Sequence, residues 1–111
     1  MEPIERRIEY FRTESGRVPY EEWRRTLGDI KTQAIVDVRT ARLRAGNFGH
    51  CAPVGKGVLE LKINCGPGYR IYFGLIGLQA VLLLAGGDKS TQKKDIRKAK
   101  TYWQEYRERQ T

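Results

Sequence analysis

The segment from Val58 to Leu75 constrains the fold most. Leu59, Leu61 and Ile63 alternate with Glu60, Lys62 and Asn64; after Cys65-Gly66-Pro67-Gly68, Ile71, Phe73 and Leu75 alternate with Arg70, Tyr72 and Gly74. Alternation with period two is the signature of a half-buried strand, and the glycine-proline-glycine step reverses the chain. Gly77 marks a second reversal into an apolar run that ends at Gly86-Gly87-Asp88-Lys89. Three antiparallel strands are expected, near 58–64, 69–76 and 79–85. Their apolar sets need a cover, which the rest of the chain must supply.

That cover is legible as helices. Pro19 suits a first helical turn, Glu21 and Glu22 favour its positive end, and Trp23 and Leu27 share a face. Gly28 ends this helix and Asp29 caps the next, where Ile30, Ala34, Val38 and Ala41 recur at helical spacing, broadened by Ile35 and Leu43. Arg39, Arg42 and Arg44 complement its C-terminal end, and Gly46 and Gly49 stop it. Residues 46–57, with His50, Pro53, Gly55, Lys56 and Gly57, read as a loop. Ile4, Ile8 and Tyr10 indicate a first strand within 3–12, leaving at Gly16. Ser90 or Thr91 can cap a last helix with Ile96, Ala99, Trp103 and Tyr106 inward. The expected architecture is a single α+β domain over 1–111, in the order β-α-α-β-β-β-α. Its helix hairpin packs on one sheet face, leaving Glu60, Lys62, Arg70 and Tyr72 on an open one. The last strand, apolar on both faces, is expected to be central or covered by the final helix.

With 111 residues and 40% hydrophobic content, the chain can bury one core. Its longest apolar run, Ala80 to Ala85, is far short of the ~20 residues of a membrane helix. Met1-Glu2-Pro3 leads into charged residues, and Arg6-Arg7 and Arg24-Arg25 lack a following apolar segment. No signal peptide is therefore expected, and the expected location is cytoplasmic, with no membrane partner. Cys51 and Cys65 form no CxxC motif and are expected as reduced thiols; with one histidine, neither a metal site nor a cofactor is expected. The net charge of +8 is uneven: residues 1–28 carry six basic and six acidic groups, residues 29–87 seven against three, and residues 88–111 eight against four. The excess sits on the sheet and last helix, where it attracts a polyanion.

Lys62, Arg70 and Lys89 converge near a glycine-rich strand exit. Glycines allow close backbone approach to an anion, and a helix start favours negative charge. Arginine binds phosphate in bidentate fashion while lysine acts as a point charge. Glu60, two residues from Lys62, is either a base or half of a cross-strand ion pair. His50, in a glycine-rich loop, is a second candidate for proton transfer. A lysine crowded by cations is a third.

Three blocks, Gly57-Val58-Leu59-Glu60-Leu61-Lys62-Ile63, Gly66-Pro67-Gly68-Tyr69-Arg70-Ile71-Tyr72-Phe73 and Gly86-Gly87-Asp88-Lys89-Ser90-Thr91-Gln92, occur in this order. In that arrangement the chain resembles the addiction-module killer proteins, a HigB-like branch of the RelE/ParE toxin superfamily. The resemblance implies a RelE-like, twisted, mainly antiparallel sheet flanked by helices. It also implies the toxin of a type II toxin–antitoxin pair, partnered by an adjacent helix-turn-helix antitoxin. Nuclease members cut mRNA, often on the ribosome, with basic sheet residues and a C-terminal side chain. By motif, Lys62, Arg70 and Lys89 match the basic set; Asp95 falls where some members place a catalytic tyrosine, and Tyr102 lies later. Lys56, Tyr72, Lys93, Lys94 and Arg97 are the expected RNA contacts. Two other readings stand beside this one: a gyrase inhibitor, as in ParE-type relatives, and a plain nucleic-acid-binding module using the basic last helix.

Overall fold

A computed structural model describes residues 3–110. The elements are β1 (Arg7–Tyr10), α1 (Pro19–Thr26), α2 (Ile30–Arg44), β2 (Cys51–Gly55), β3 (Val58–Ile63), β4 (Tyr69–Ile76), β5 (Ala80–Gly87) and α3 (Gln92–Arg109), with a 3-10 turn at Lys89–Thr91. The five strands form one mixed sheet in the order β1-β5-β4-β3-β2. Only the β1–β5 pair is parallel; the other three neighbours are antiparallel. The α+β class and the three strands from 58 onward match the sequence expectation. Among the described residues, no helix is long and apolar enough to cross a membrane.

Alternation divides the sheet between two cores. Leu61, Ile63, Ile71, Phe73, Val81 and Leu83 meet Tyr20 and Leu27 of the α1 segment and Val36 and Leu43 of α2. Val58, Tyr72, Leu82 and Leu84 meet Phe11 and, from α3, Ala99 and Trp103. A register shift between Tyr72 and Phe73 lets β5 keep both Leu84 and Ala85 in this second core. β5 is therefore interior to the sheet and covered on both faces, as its continuous apolar run requires.

Three expectations are corrected. Residues 46–57 are not all loop: Cys51–Gly55 forms the edge strand β2, whose Pro53 lacks an N–H and is tolerated because the strand lies at the sheet margin. The face bearing Glu60, Arg70 and Tyr72 is not open. The first half of α3 covers it, leaving Tyr72 0% and Glu60 3% exposed. Finally, α2 is turned by about half a revolution from the expected Ile30, Ala34, Val38 and Ala41 stripe, and of that apolar set, with Ile35 and Leu43, Leu43 alone is buried. Val36 and Leu43 point inward, while Ile30 and Val38 are 83% and 51% exposed. Hydrogen bonds fix that rotation: Gln33 Nε2 donates to the Leu27 carbonyl at 2.7 Å, and Arg24 pairs with Asp37.

Glycine sets how closely the layers approach. A Cβ on Gly86 would fall inside the Trp23 ring, and one on Gly74 inside the Trp103 ring. Gly86→Ala is expected to destabilise the protein by about 1–3 kcal/mol through overpacking, read from urea unfolding. Trp23→Ala should remove most of that penalty in the double variant; an additive pair would contradict the contact.

Candidate functional site

Strand register builds the site in two rows. Lys62 of β3 pairs with Arg70 of β4, and Arg70 with Gly87 of β5, so these three share one row at the end of the sheet. The row behind it holds Glu60, Tyr72 and Ala85. Lys62 is exposed and Arg70 is 9% exposed. Lys89 is exposed beside them: a Cβ on Gly68 would lie 3.4 Å from Arg70 Nη1 and 3.8 Å from Lys89 Cβ. The three cations expected from the sequence are thus brought to one end of the sheet.

Beneath them lies a buried polar network. Tyr72 Oη donates to Glu60 Oε2 at 3.0 Å, and Gln92 Nε2 donates to the same oxygen at 2.9 Å. Arg70 Nε is 3.7 Å from that oxygen, close enough for an ion pair and too far for a hydrogen bond. Arg70 Nη1 donates to the Gly68 carbonyl at 2.8 Å, while Nε is buried with no hydrogen-bond partner among the described residues. Buried donors are rarely left unpaired, so at Nε the compensation is the Glu60 charge 3.7 Å away. Burial raises the Tyr72 pKa, and the adjacent Glu60 charge raises it further. The phenol therefore remains a neutral donor to the carboxylate.

The strand exit differs from the expected phosphate cradle. Trp23 occupies the space on one side of Gly86, and the Asp95 carboxylate that on the α3 side of Gly87. The Asp95 carboxylate accepts from the Thr91 hydroxyl. Asp88 caps the 3-10 turn by accepting from Ser90 N at 2.8 Å, and the Ser90 hydroxyl bond leads the effects that lower its pKa. The α3 N-cap residue, Thr91, makes no side-chain cap bond, so Asp88 takes the role expected of Ser90 or Thr91. The chain's own carboxylates thus complement the positive end of this helix.

The other candidates separate by position. Glu60 and Tyr72 have almost no surface, so neither can touch RNA directly. Asp95 lines a cleft of about 210 Å³ between α1 and α3 with Arg17, Trp23, Lys98 and Tyr102. Tyr102 stacks on Phe11 at 4.9 Å there. His50 is exposed; its carbonyl accepts from Lys62 N at 3.1 Å, and the residue lines a cavity of about 270 Å³ with Arg39, Arg42 and Leu61 on the α2 side. Lys56 stands at the β2–β3 turn, and Lys93, Lys94 and Arg97 are exposed on α3. Sequence reasoning missed Gln92. Its spacing from Ile96, Ala99 and Trp103, at i+4, i+7 and i+11, puts it on the inward stripe and could have found it.

Burial also raises the Tyr20 pKa, so both phenols keep their protons in the fold where an unfolded chain loses them. Their contribution to stability is whole below the ordinary tyrosine value of ~10 and is lost as pH rises through the higher folded values. The urea midpoint should decline above about pH 10, less steeply in Tyr72→Phe. That variant should also lose about 1 kcal/mol at neutral pH through the missing donor to Glu60. Identical alkaline profiles for the two proteins would contradict the buried network.

A protein of Haemophilus influenzae, described only as an "uncharacterized protein", is 43% identical over 86 residues, covering 78% of this chain and 87% of the relative. The chain belongs to the same family as that protein. No family profile matches the chain, and no solved structure matches it.

Proposed function

We propose that this chain is the toxin of a type II toxin–antitoxin pair, with a RelE-like fold, acting in the cytoplasm as a metal-independent endoribonuclease on mRNA. The observation that carries this reading is the row Lys62–Arg70–Gly87 with Lys89 beside it, set over the buried Glu60. In the proposed reaction the 2′-oxygen attacks the adjacent phosphorus, and the bond to the 5′-oxygen breaks. One group takes the 2′-hydroxyl proton and another protonates the leaving oxygen, giving a 2′,3′-cyclic phosphate and a 5′-hydroxyl. The phosphorane formed on the way carries extra negative charge, which aimed cations stabilise.

Arg70 is the proposed phosphate ligand, kept on station by Glu60. Lys62 and Lys89 supply point charges and are the exposed groups beside Arg70 that can exchange a proton with RNA. Glu60 is a positioning residue, because its carboxylate faces Tyr72, Gln92 and Arg70 instead of solvent. His50 lies toward α2 and is left out of the mechanism. The proposed antitoxin surface is the outward stripe of α2, with Ile30, Ile35 and Val38 exposed beside Lys31, Arg39 and Arg42. Such a stripe fits an amphipathic helix with acidic flanks.

Induced expression of the wild type and Arg70→Ala, with mapping of transcript 5′ ends, tests the reading. The wild type should arrest growth and create new 5′-hydroxyl ends, and Arg70→Ala should lower cleavage by about 10²–10³-fold. Growth arrest without Arg70-dependent ends would overturn the ribonuclease reading. Gyrase-linked DNA breaks in its place would establish the inhibitor reading.

A further inference from the structure

One flank of α3 carries cations that the folded chain does not use. Lys93, Arg97 and Lys100 recur at i, i+4 and i+7, with Arg107 seven residues further on, a spacing that aligns them along one side of the helix. None of the four makes an ion pair among the described residues. Like charges one turn apart weaken a helix by roughly 0.2–0.5 kcal/mol per pair. The fold therefore bears this stripe with no internal return.

The stripe leads to a second feature. Its far end faces the β2–β3 turn, where a Cβ on Gly55 would lie 3.2 Å from Lys100 Nζ and one on Gly57 would lie 2.8 Å from Trp103 Nε1. The groove formed there, about 640 Å³, is lined by Lys56, Lys100, Trp103, Gln104, Arg107 and Glu108. Glu108, the one acid in that lining, accepts from Gln104 Nε2 at 3.1 Å. Lys56 sits between two glycines at φ 58°, the one non-glycine residue with positive φ among the described residues. A left-handed lysine costs roughly 1–2 kcal/mol relative to glycine. A residue held against its own backbone preference at a groove is a candidate for function.

The two features connect to Arg70. Gln92, bonded to Glu60 beside Arg70, opens α3. Lys100 lies eight residues along, or about 12 Å at 1.5 Å per residue. On the sheet, Lys62 lies four residues, about 13 Å, along β3 from Val58, which follows the Lys56–Gly57 turn. We propose that Lys93, Arg97, Lys100 and Lys56 form a track for the phosphate backbone of single-stranded RNA whose scissile phosphate lies at Arg70. The proposal rests on the ribonuclease reading and adds where the strand runs: along α3 toward the β2–β3 turn, a few nucleotides from the cut. Cation–phosphate contacts of this kind read charge and spacing without base identity. Tyr72 has no part in the track because it is buried, and by helical spacing Lys94 lies off the stripe.

The test is fluorescence anisotropy with a labelled, non-cleavable 2′-O-methyl uridine 12-mer across a salt series, beside cleavage of the unmodified oligomer. The Lys56→Ala/Lys100→Ala variant should lower the slope of log affinity against log salt by about 1.4, at ~0.7 per lost single-strand phosphate contact. Lys31→Ala/Arg44→Ala, which removes the same charge from α2, should leave the slope unchanged. Lys56→Gly should raise the thermal midpoint while lowering the slope, a combination that a merely structural lysine would not give. An unchanged slope for the Lys56/Lys100 pair, or an equal loss in the α2 control, would overturn the track. Wild-type protein that binds the 12-mer with the expected slopes yet never cleaves RNA would sink the ribonuclease reading alone. Cleavage with an unchanged Lys56/Lys100 slope would sink the track alone.

Discussion

The Glu60 carboxylate is the joint on which the α3 side of the molecule depends. One of its oxygens accepts from Tyr72 on the neighbouring strand and from Gln92 at the start of α3, and it lies opposite the Arg70 charge. A buried carboxylate is tolerable only when donors or a counter-charge surround it. Here those partners come from β4 and α3, so satisfying one anion fixes where the helix begins, which way the tyrosine points and where the arginine can reach. Strand register sets Lys62 beside Arg70, and the buried charge adds a counter-ion for the arginine between them and the helix.

Glycine lets the layers close tightly enough for that joint to form. Gly74 admits the Trp103 ring, Gly86 the Trp23 ring and Gly87 the Asp95 carboxylate. Each is a strand position where a side chain would push a helix outward. The glycine pair at the end of β5 thus serves helix packing on both faces, and the negative group placed against it belongs to the chain itself. What stays open is the outer edge of the row, where Lys62 and Lys89 flank the Arg70 guanidinium.

Much of this was legible in the sequence, for identifiable reasons. The three strands from Val58 onward announce themselves by alternation and by the glycine turns, and their register alone places Lys62 beside Arg70. Strand β2 was hidden because Pro53 and the flanking glycines mimic a loop, whereas an edge strand accepts both. The rotation of α2 was hidden because apolar residues line both its sides; hydrogen bonds from Gln33 and the Arg24–Asp37 pair select the side that faces in. Alternation showed that Glu60 and Tyr72 share a face, but nothing local to β3 and β4 revealed that α3 would cover it. The inward position of Gln92 was the one available signal.

In the proposed reaction the Arg70 guanidinium, held from below by the buried Glu60 carboxylate, presents its outer edge to a phosphate. Nitrogen-15 NMR of arginine side chains in the intact protein, titrated with the non-cleavable uridine 12-mer, tests this most directly. The Arg70 Nε–Hε signal should be protected from solvent exchange in the free protein and should shift on RNA binding, with both properties lost in Glu60→Gln. An Arg70 signal that exchanges freely, or that stays in place while the RNA is bound, would contradict the account.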